Sequence, residues 1–153
     1  MHSMSPGTGS CELCTSDGGE LLWRDASCRV VLVDEAGYPG YCRVIWQRHV
    51  AEMSDLDPGE RSHLMRVVFE VEAALRDWLR PDKVNLASLG NVVPHLHWHV
   101  IPRFRDDPHF PNPIWGARGR QPAARNPDLM AGKRLLAARL AQLAASQVPS
   151  SKM

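Results

Sequence analysis

The sequence predicts an α+β fold, a five-stranded antiparallel sheet with one long amphipathic helix and a C-terminal helix. Three observations carry this: five short runs rich in β-branched and aromatic residues, one capped stretch whose apolar residues recur every three or four positions, and a late leucine stripe of the same period. A chain of 153 residues, 44% hydrophobic and 23% charged, suits one domain with its own core.

Ser, Gly and Pro dominate residues 1–10, which reads as a flexible tail, so the fold is expected to start near Cys11. Leu21-Leu22-Trp23, then Arg29 to Val33, then Cys42 to Trp46 read as an antiparallel meander, with a turn at Gly37-Tyr38-Pro39-Gly40 between the last two. Asp57-Pro58-Gly59-Glu60 supplies an N-cap, a proline at the first helical position and a carboxylate three residues after the cap. Leu64, Val68, Val71, Leu75 and Trp78 then form one apolar stripe that ends at Pro81. Lys83 to Leu89 and Leu96 to Arg103 read as two further strands joined by a tight turn at Gly90-Asn91. Residues 105–127, rich in Pro, Gly and Arg, read as an irregular segment pinned at Phe110, Ile114 and Trp115. Asn126-Pro127 can cap a final helix carrying Leu129, Leu136, Leu140 and Leu143. The expected organisation is therefore a tail at 1–10, a domain at 11–110, an irregular segment and helix at 111–146, and a flexible tail at 147–153.

Charge and composition narrow the function classes. The 18 Lys plus Arg and 17 Asp plus Glu give a formal charge of +1, which weighs against nucleic acid or a membrane surface as partner. No apolar run approaches the roughly 20 residues of a membrane helix, and the first residues lack the pattern of a signal peptide, so a cytoplasmic location is expected. There the four cysteines, Cys11, Cys14, Cys28 and Cys42, read as thiols or metal ligands. Cys11-x-x-Cys14 is a redox pair, half a metal site, or coincidence, and no βαβ pattern follows to support the redox reading. Trp23, Trp46, Trp78 and Trp98 read as core, Trp115 as a packing anchor, His63 and His109 as solvated, and Arg118 to Arg125 as an exposed basic loop.

Three of the 7 histidines stand together in His95-Leu96-His97-Trp98-His99, between the extended-favouring runs Val92-Val93-Pro94 and Val100-Ile101-Pro102. On a strand these histidines share one face, about 6.6 Å apart in succession. The outer two are then too far apart to meet at one metal ion, so a division of labour is expected. A neutral imidazole is a nucleophile at physiological pH and its neighbours can hold anionic oxygens, a combination suited to phosphoryl or nucleotidyl transfer.

His95-Leu96-His97-Trp98-His99-Val100-Ile101, continued by Pro102-Arg103, resembles the signature of the histidine triad family. The likeness extends to Cys11-Glu12-Leu13-Cys14, to Val31 through Asp34 followed by Pro39-Gly40-Tyr41, to His49 and to Gly90-Asn91, and covers roughly residues 11–110. It implies a homodimer whose His97 attacks an α-phosphate to form a nucleotidyl-histidine that water hydrolyses. His99 would hold phosphate oxygens, Asn91 would contact phosphate, Asn85 would face the same site and Asp34 would bind ribose hydroxyls. It also implies that His49 and His95 complete a structural zinc site with Cys11 and Cys14.

Two positions depart from the family pattern. Tyr41 stands where members commonly have a fourth histidine, and Val92 where many have a Ser or Thr that assists the leaving group. Without that hydroxyl an amine leaving group lacks a proton source, whereas a polyphosphate leaving group needs none. The expected function is thus a nucleotide hydrolase or transferase acting on a dinucleoside polyphosphate or nucleoside phosphoramidate. The alternative is a non-catalytic, zinc-stabilised nucleotide-binding or interaction module.

Overall fold

The computed structural model describes residues 8–146, so most of the tail expected at 1–10 and all of that expected at 147–153 lie outside the described residues. Five strands form one antiparallel sheet: β1 (Glu20–Arg24), β2 (Cys28–Leu32), β3 (Cys42–Trp46), β4 (Lys83–Ala87) and β5 (His97–Arg103), in the order β1-β2-β3-β5-β4. The helices are α1 (Glu12–Thr15), α2 (Pro58–Leu79) and α3 (Leu129–Ser146). The α+β fold expected from the sequence is the one observed.

Strand alternation decides what each face of the sheet does. Cys28, Val30, Cys42, Val44 and Val100 turn toward α2 and α3 and build the main core with Leu64, Val68, Val71, Leu75, Leu136 and Leu140. The intervening residues, Arg29, Arg43, Ile45, His97, His99, Ile101 and Arg103, fall on the opposite face. Among the described residues no long helix covers that face. It is covered in part by Cys11 and Leu13 of the N-terminal segment, packed with Val31 and Ile45, and by Tyr38 and Tyr41 packed with Ile101.

Helix α2 starts and stops where its local chemistry dictates. Asp57 accepts from Glu60 N at 2.8 Å while Glu60 accepts from Asp57 N at 2.9 Å, closing a capping box ahead of Pro58. At the other end Arg80 takes the left-handed conformation, φ 48°, directly before Pro81. Gly132 of α3 meets the Trp78 ring so closely that an added Cβ would lie 2.3 Å from it, so only glycine lets α3 lie on α2 there.

Three local expectations need correction. First, the β4–β5 connection is nine residues, 88–96, in place of a tight turn at Gly90-Asn91, because the ladder closes at Ala87 and His99. Second, β5 begins at His97 and not at Leu96, so the three histidines do not line one straight strand. His95 N donates to Val93 O at 2.8 Å and Leu96 N to Val50 O at 2.7 Å, which pulls His95 into the bend ahead of the strand. Third, Asp128 caps α3, accepting from Ala131 N at 3.0 Å, and Asn126-Pro127 precedes that cap.

The segment after β5 is irregular but tightly tied. The Asp107 carboxylate accepts from Arg103 Nε at 2.7 Å and Nη2 at 3.0 Å, from the backbone N–H of Phe104, His109 and Phe110, and from Tyr38 Oη at 3.2 Å. Burial alone would raise this carboxyl, but Arg103 and the three amides outweigh it and hold it at about 2. His109 bonds Tyr38 Oη through Nδ1 at 2.5 Å, and His63 bonds Asp25 at 2.7 Å, so neither is the free solvated residue expected. Arg120 and Arg125 are also engaged, with the carbonyls of Asp107 and Phe110 and with the Asp106 carboxylate. Of the tryptophans, Trp23, Trp46, Trp78 and Trp98 belong to the core as expected, and Cys28 and Cys42 are fully buried in it.

Candidate active site

His97 and His99 project from the face of β5 that the helices leave uncovered, into a cavity of about 410 Å³ also lined by Glu12, Leu13, Arg43, Asn91 and Trp115. Each ring has one nitrogen already committed. His97 Nδ1 donates to the carbonyl of His95 at 2.5 Å, which leaves Nε2 with its lone pair. Burial chiefly, and Arg43 in addition, pull the His97 pKa below the ordinary histidine value, against the bond to His95 O, so the ring is neutral at physiological pH. A neutral imidazole with a free Nε2 in a cavity is a competent nucleophile.

His99 is held differently. Its Nδ1 lies 2.5 Å from Tyr41 Oη. Burial raises the Tyr41 phenol, against the neighbouring Arg43, so the hydroxyl stays protonated; with Arg43, itself only a donor, on its oxygen, we assign its proton to the bond with Nδ1. Burial first, then His97 and Arg43, push His99 down to about 4. The neutral ring therefore carries its proton on Nε2, as a donor. The two rings stand edge to face, with centroids 4.9 Å apart, and Trp115 packs against the other side of His99 at 4.9 Å. Trp115 is 50% exposed, so it is a rim residue of the cavity and not the packing anchor expected.

The other expected residues are distributed unequally. Asn91 lines the same cavity. Asn85 lies on the same sheet face two positions from Ala87, which pairs with His99, and its Oδ1 accepts from Arg103 Nη1 at 2.7 Å. Asp34 lines a larger cavity, about 570 Å³, with Gly37, Tyr38, Phe104 and Asp107, in which none of the three triad histidines takes part. The two triad histidines of β5 line the smaller cavity, not the larger one. Sequence reading missed Arg43, whose signal was a lone cation in the otherwise apolar run Cys42 to Trp46.

Behind the cavity, Cys11, Cys14, His49 and His95 bring their ligand atoms together. Cys11 Sγ and Cys14 Sγ lie 3.5 and 3.4 Å from His95 Nδ1, Cys14 Sγ lies 3.3 Å from His49 Nδ1, and the two Nδ1 atoms are 3.3 Å apart. Ligands of a tetrahedral ion with M–S about 2.3 Å and M–N about 2.0–2.1 Å stand roughly 3.3–3.8 Å from one another, so this set fits one ion. His95 Nε2 donates to Trp46 O at 2.6 Å, which fixes the tautomer that offers Nδ1 to a metal. All four expected metal ligands converge.

Comparison with known proteins agrees with this geometry. The chain is 30% identical over 86 residues to AP-4-A phosphorylase of Mycobacterium tuberculosis, covering 52% of this chain and 44% of that protein. It is 34% identical over 74 residues to bis(5'-nucleosyl)-tetraphosphatase [asymmetrical] of Schizosaccharomyces pombe, covering 45% and 41%. The matches thus span less than half the length of these relatives. Among solved structures, a histidine triad protein from Bradyrhizobium japonicum superposes with a TM-score of 0.65 at 30% identity, over 82% of this chain and 90% of that one. A Zn-bound histidine triad family protein from Mycobacterium smegmatis superposes with a TM-score of 0.61 at 26% identity, over 92% of this chain and 100% of that one. Residues 18–106, more than half of the 153, match the HIT domain family model, and the protein belongs to that family.

Proposed function

We propose that the protein cleaves a dinucleoside polyphosphate at an α-phosphate through a covalent nucleotidyl-His97. The observation that carries this is the committed geometry of His97, with Nδ1 bonded to His95 O and Nε2 free beside the donor His99. In the first step the Nε2 lone pair forms an N–P bond while the bridging P–O bond breaks and its electron pair leaves with the departing polyphosphate. Water then attacks phosphorus: an O–P bond forms, the N–P bond breaks with its electron pair returning to Nε2, and the water's proton passes to solvent, leaving a nucleoside monophosphate and free His97. His99 Nε2–H and the Asn91 amide hold nonbridging oxygens throughout. Val92, 93% exposed at the cavity mouth, has no hydroxyl to protonate an amine, which favours an anhydride over a phosphoramidate. The names of the two curated relatives point the same way.

The cysteine–histidine cluster is read as a structural zinc site. Cys11, Cys14, His49 and His95 would fill all four positions of the ion, whose contribution is to hold the N-terminal segment against the sheet. The homodimer belongs to the same reading and is checked by light scattering of the purified protein. For the function, incubation with diadenosine tetraphosphate and with an adenosine phosphoramidate, followed by acid-free mass spectrometry, should trap an adenylyl group on the peptide containing His97, with the tetraphosphate turned over faster. No turnover of either substrate would support the alternative, a nucleotide-binding module without catalysis.

A further inference from the structure

The cavity contains a cation that the reading above does not use. Arg43 pairs across the β3–β5 ladder with His99, so its side chain rises from the same face of the sheet, and the guanidinium lines the cavity with both histidines. Every other residue of β3 is apolar, so the strand spends one of its five positions on a charge. Burial of such a group is unfavourable unless its donors find acceptors.

Arg43's donors are incompletely used. Nη1 donates to Gly18 O at 3.1 Å, the guanidinium carbon stands 5.8 Å from the Tyr41 ring centroid, and the buried Nε–H has no partner. Arg43 makes no ion pair among the described residues. Arg29, on the same face of the neighbouring strand β2, shows what a purely structural arginine looks like here: it donates to the carbonyls of Leu13, Ser16 and Asp17 and to Gln47 Oε1. The two arginines share a face and a layer, yet one is saturated and the other keeps donors in reserve. Glu12 is the other charged residue lining the cavity, so Arg43 is its one permanent positive charge among the described residues.

We propose that Arg43 is a catalytic residue whose guanidinium binds the nonbridging oxygens of the phosphoryl group that His97 attacks and supplies the fixed positive charge of the site. The proposal rests on nucleotidyl transfer at His97. Charge in phosphoryl transfer spreads over the equatorial oxygens, and a planar fork of N–H donors matches two of them at once. Arg43 exchanges no proton in the step; it donates hydrogen bonds while the N–P bond forms and the P–O bond breaks. It thereby takes the electrostatic part that Tyr41, a neutral phenol, does not.

The test compares wild type with Arg43→Gln and Arg43→Lys, each checked for unchanged thermal midpoint and metal content. With diadenosine tetraphosphate, Arg43→Gln should lower kcat by about 10²–10³-fold and slow adenylyl-His97 formation in parallel. Arg43→Lys, which keeps the charge without the fork, should recover part of the loss, and the pH profile of kcat should keep its shape. Calorimetric titration with adenosine 5'-monophosphate and with neutral adenosine gives a readout independent of turnover. Arg43→Gln should bind the monophosphate at least tenfold more weakly and adenosine equally well. A kcat within threefold of wild type, or unchanged monophosphate affinity, overturns the assignment. If wild type turns over no substrate, the catalytic reading above fails and the monophosphate titration alone decides whether Arg43 is a phosphate ligand; absence of any wild-type binding counts against it. Should Arg43→Gln fail to fold, the same two readouts on Arg43→Lys decide.

Discussion

Two clusters of imidazoles sit back to back in this molecule, one at His49 and His95, the other at His97 and His99, and they are built for opposite ends. The first is closed: two thiols and two ring nitrogens face one another at 3.3 to 3.5 Å and leave no position for a substrate. The second is open, with Nε2 of both rings turned to a cavity. Residue type does not separate them. What does is which nitrogen each ring commits: Nε2 of His95 to Trp46 O, but Nδ1 of His97 to His95 O and Nδ1 of His99 to Tyr41 Oη. Neighbouring histidines acquire different chemistry from a single hydrogen bond apiece.

That contrast can be broken from either side. The largest effect expected is from His97→Ala, which should reduce turnover of diadenosine tetraphosphate by at least about 10³-fold while leaving metal content and thermal midpoint near wild type; a fall in metal content would show that the clusters are one unit. Cys14→Ser attacks the closed cluster at an exposed ligand. It should abolish stoichiometric zinc, about one per chain in protein purified without chelator, and cost on the order of 3 kcal/mol, lowering the thermal midpoint by roughly 10 °C. Plasma emission analysis and calorimetry read both, and unchanged stability would remove the structural role of the metal.

A finer test is Tyr41→Phe, which takes away the donor that sets the His99 tautomer. A drop in kcat of about tenfold with little change in KM is expected, and an unaltered kcat would mean that His99 needs no such orientation. The smallest effect is on pH dependence. The folded-state pKa of His97 lies below the ordinary histidine value and that of His99 at about 4, so both are neutral through the physiological range. Between the unfolded value near 6.5 and these lower folded values, the unfolded chain binds more protons. Stability should therefore be full above about pH 6.5 and decline as pH falls toward 4, and the acid limb of kcat/KM should lie below pH 6.5. A limb above pH 7 would contradict the burial of His97.

Much of this was legible in residue order, and the rest was not for identifiable reasons. The β-favouring run Cys42–Trp46 and the Asp57–Glu60 capping box are local signals, and both elements were placed within a residue or two. The converging cysteines and histidines and the proposed nucleophile, His97, were pointed to by the spacing of Cys11, Cys14 and the triad together with family resemblance. The bend that removes His95 from the strand depends on Val50 O accepting from Leu96, a contact across 46 positions that no local pattern encodes. Arg43 shows in the sequence only as a lone cation in an apolar run; that it stands beside His99 is set by the neighbouring strand. Tyr38, Arg103, Asp107 and His109 each read as unremarkable singly and form a network only once folded.

The knot at Asp107 also bears on how Trp115 is mounted. Six donors converge on one carboxylate at the root of the segment that carries Trp115, and Arg103 further binds Asn112 O at 2.7 Å, three residues before that ring. Trp115 is thus half exposed to solvent, while the segment that carries it is tied down just before the ring. An aromatic surface mounted on a tied base would lose little freedom if a flat ligand settled against it, so folding would have met that entropic cost in advance.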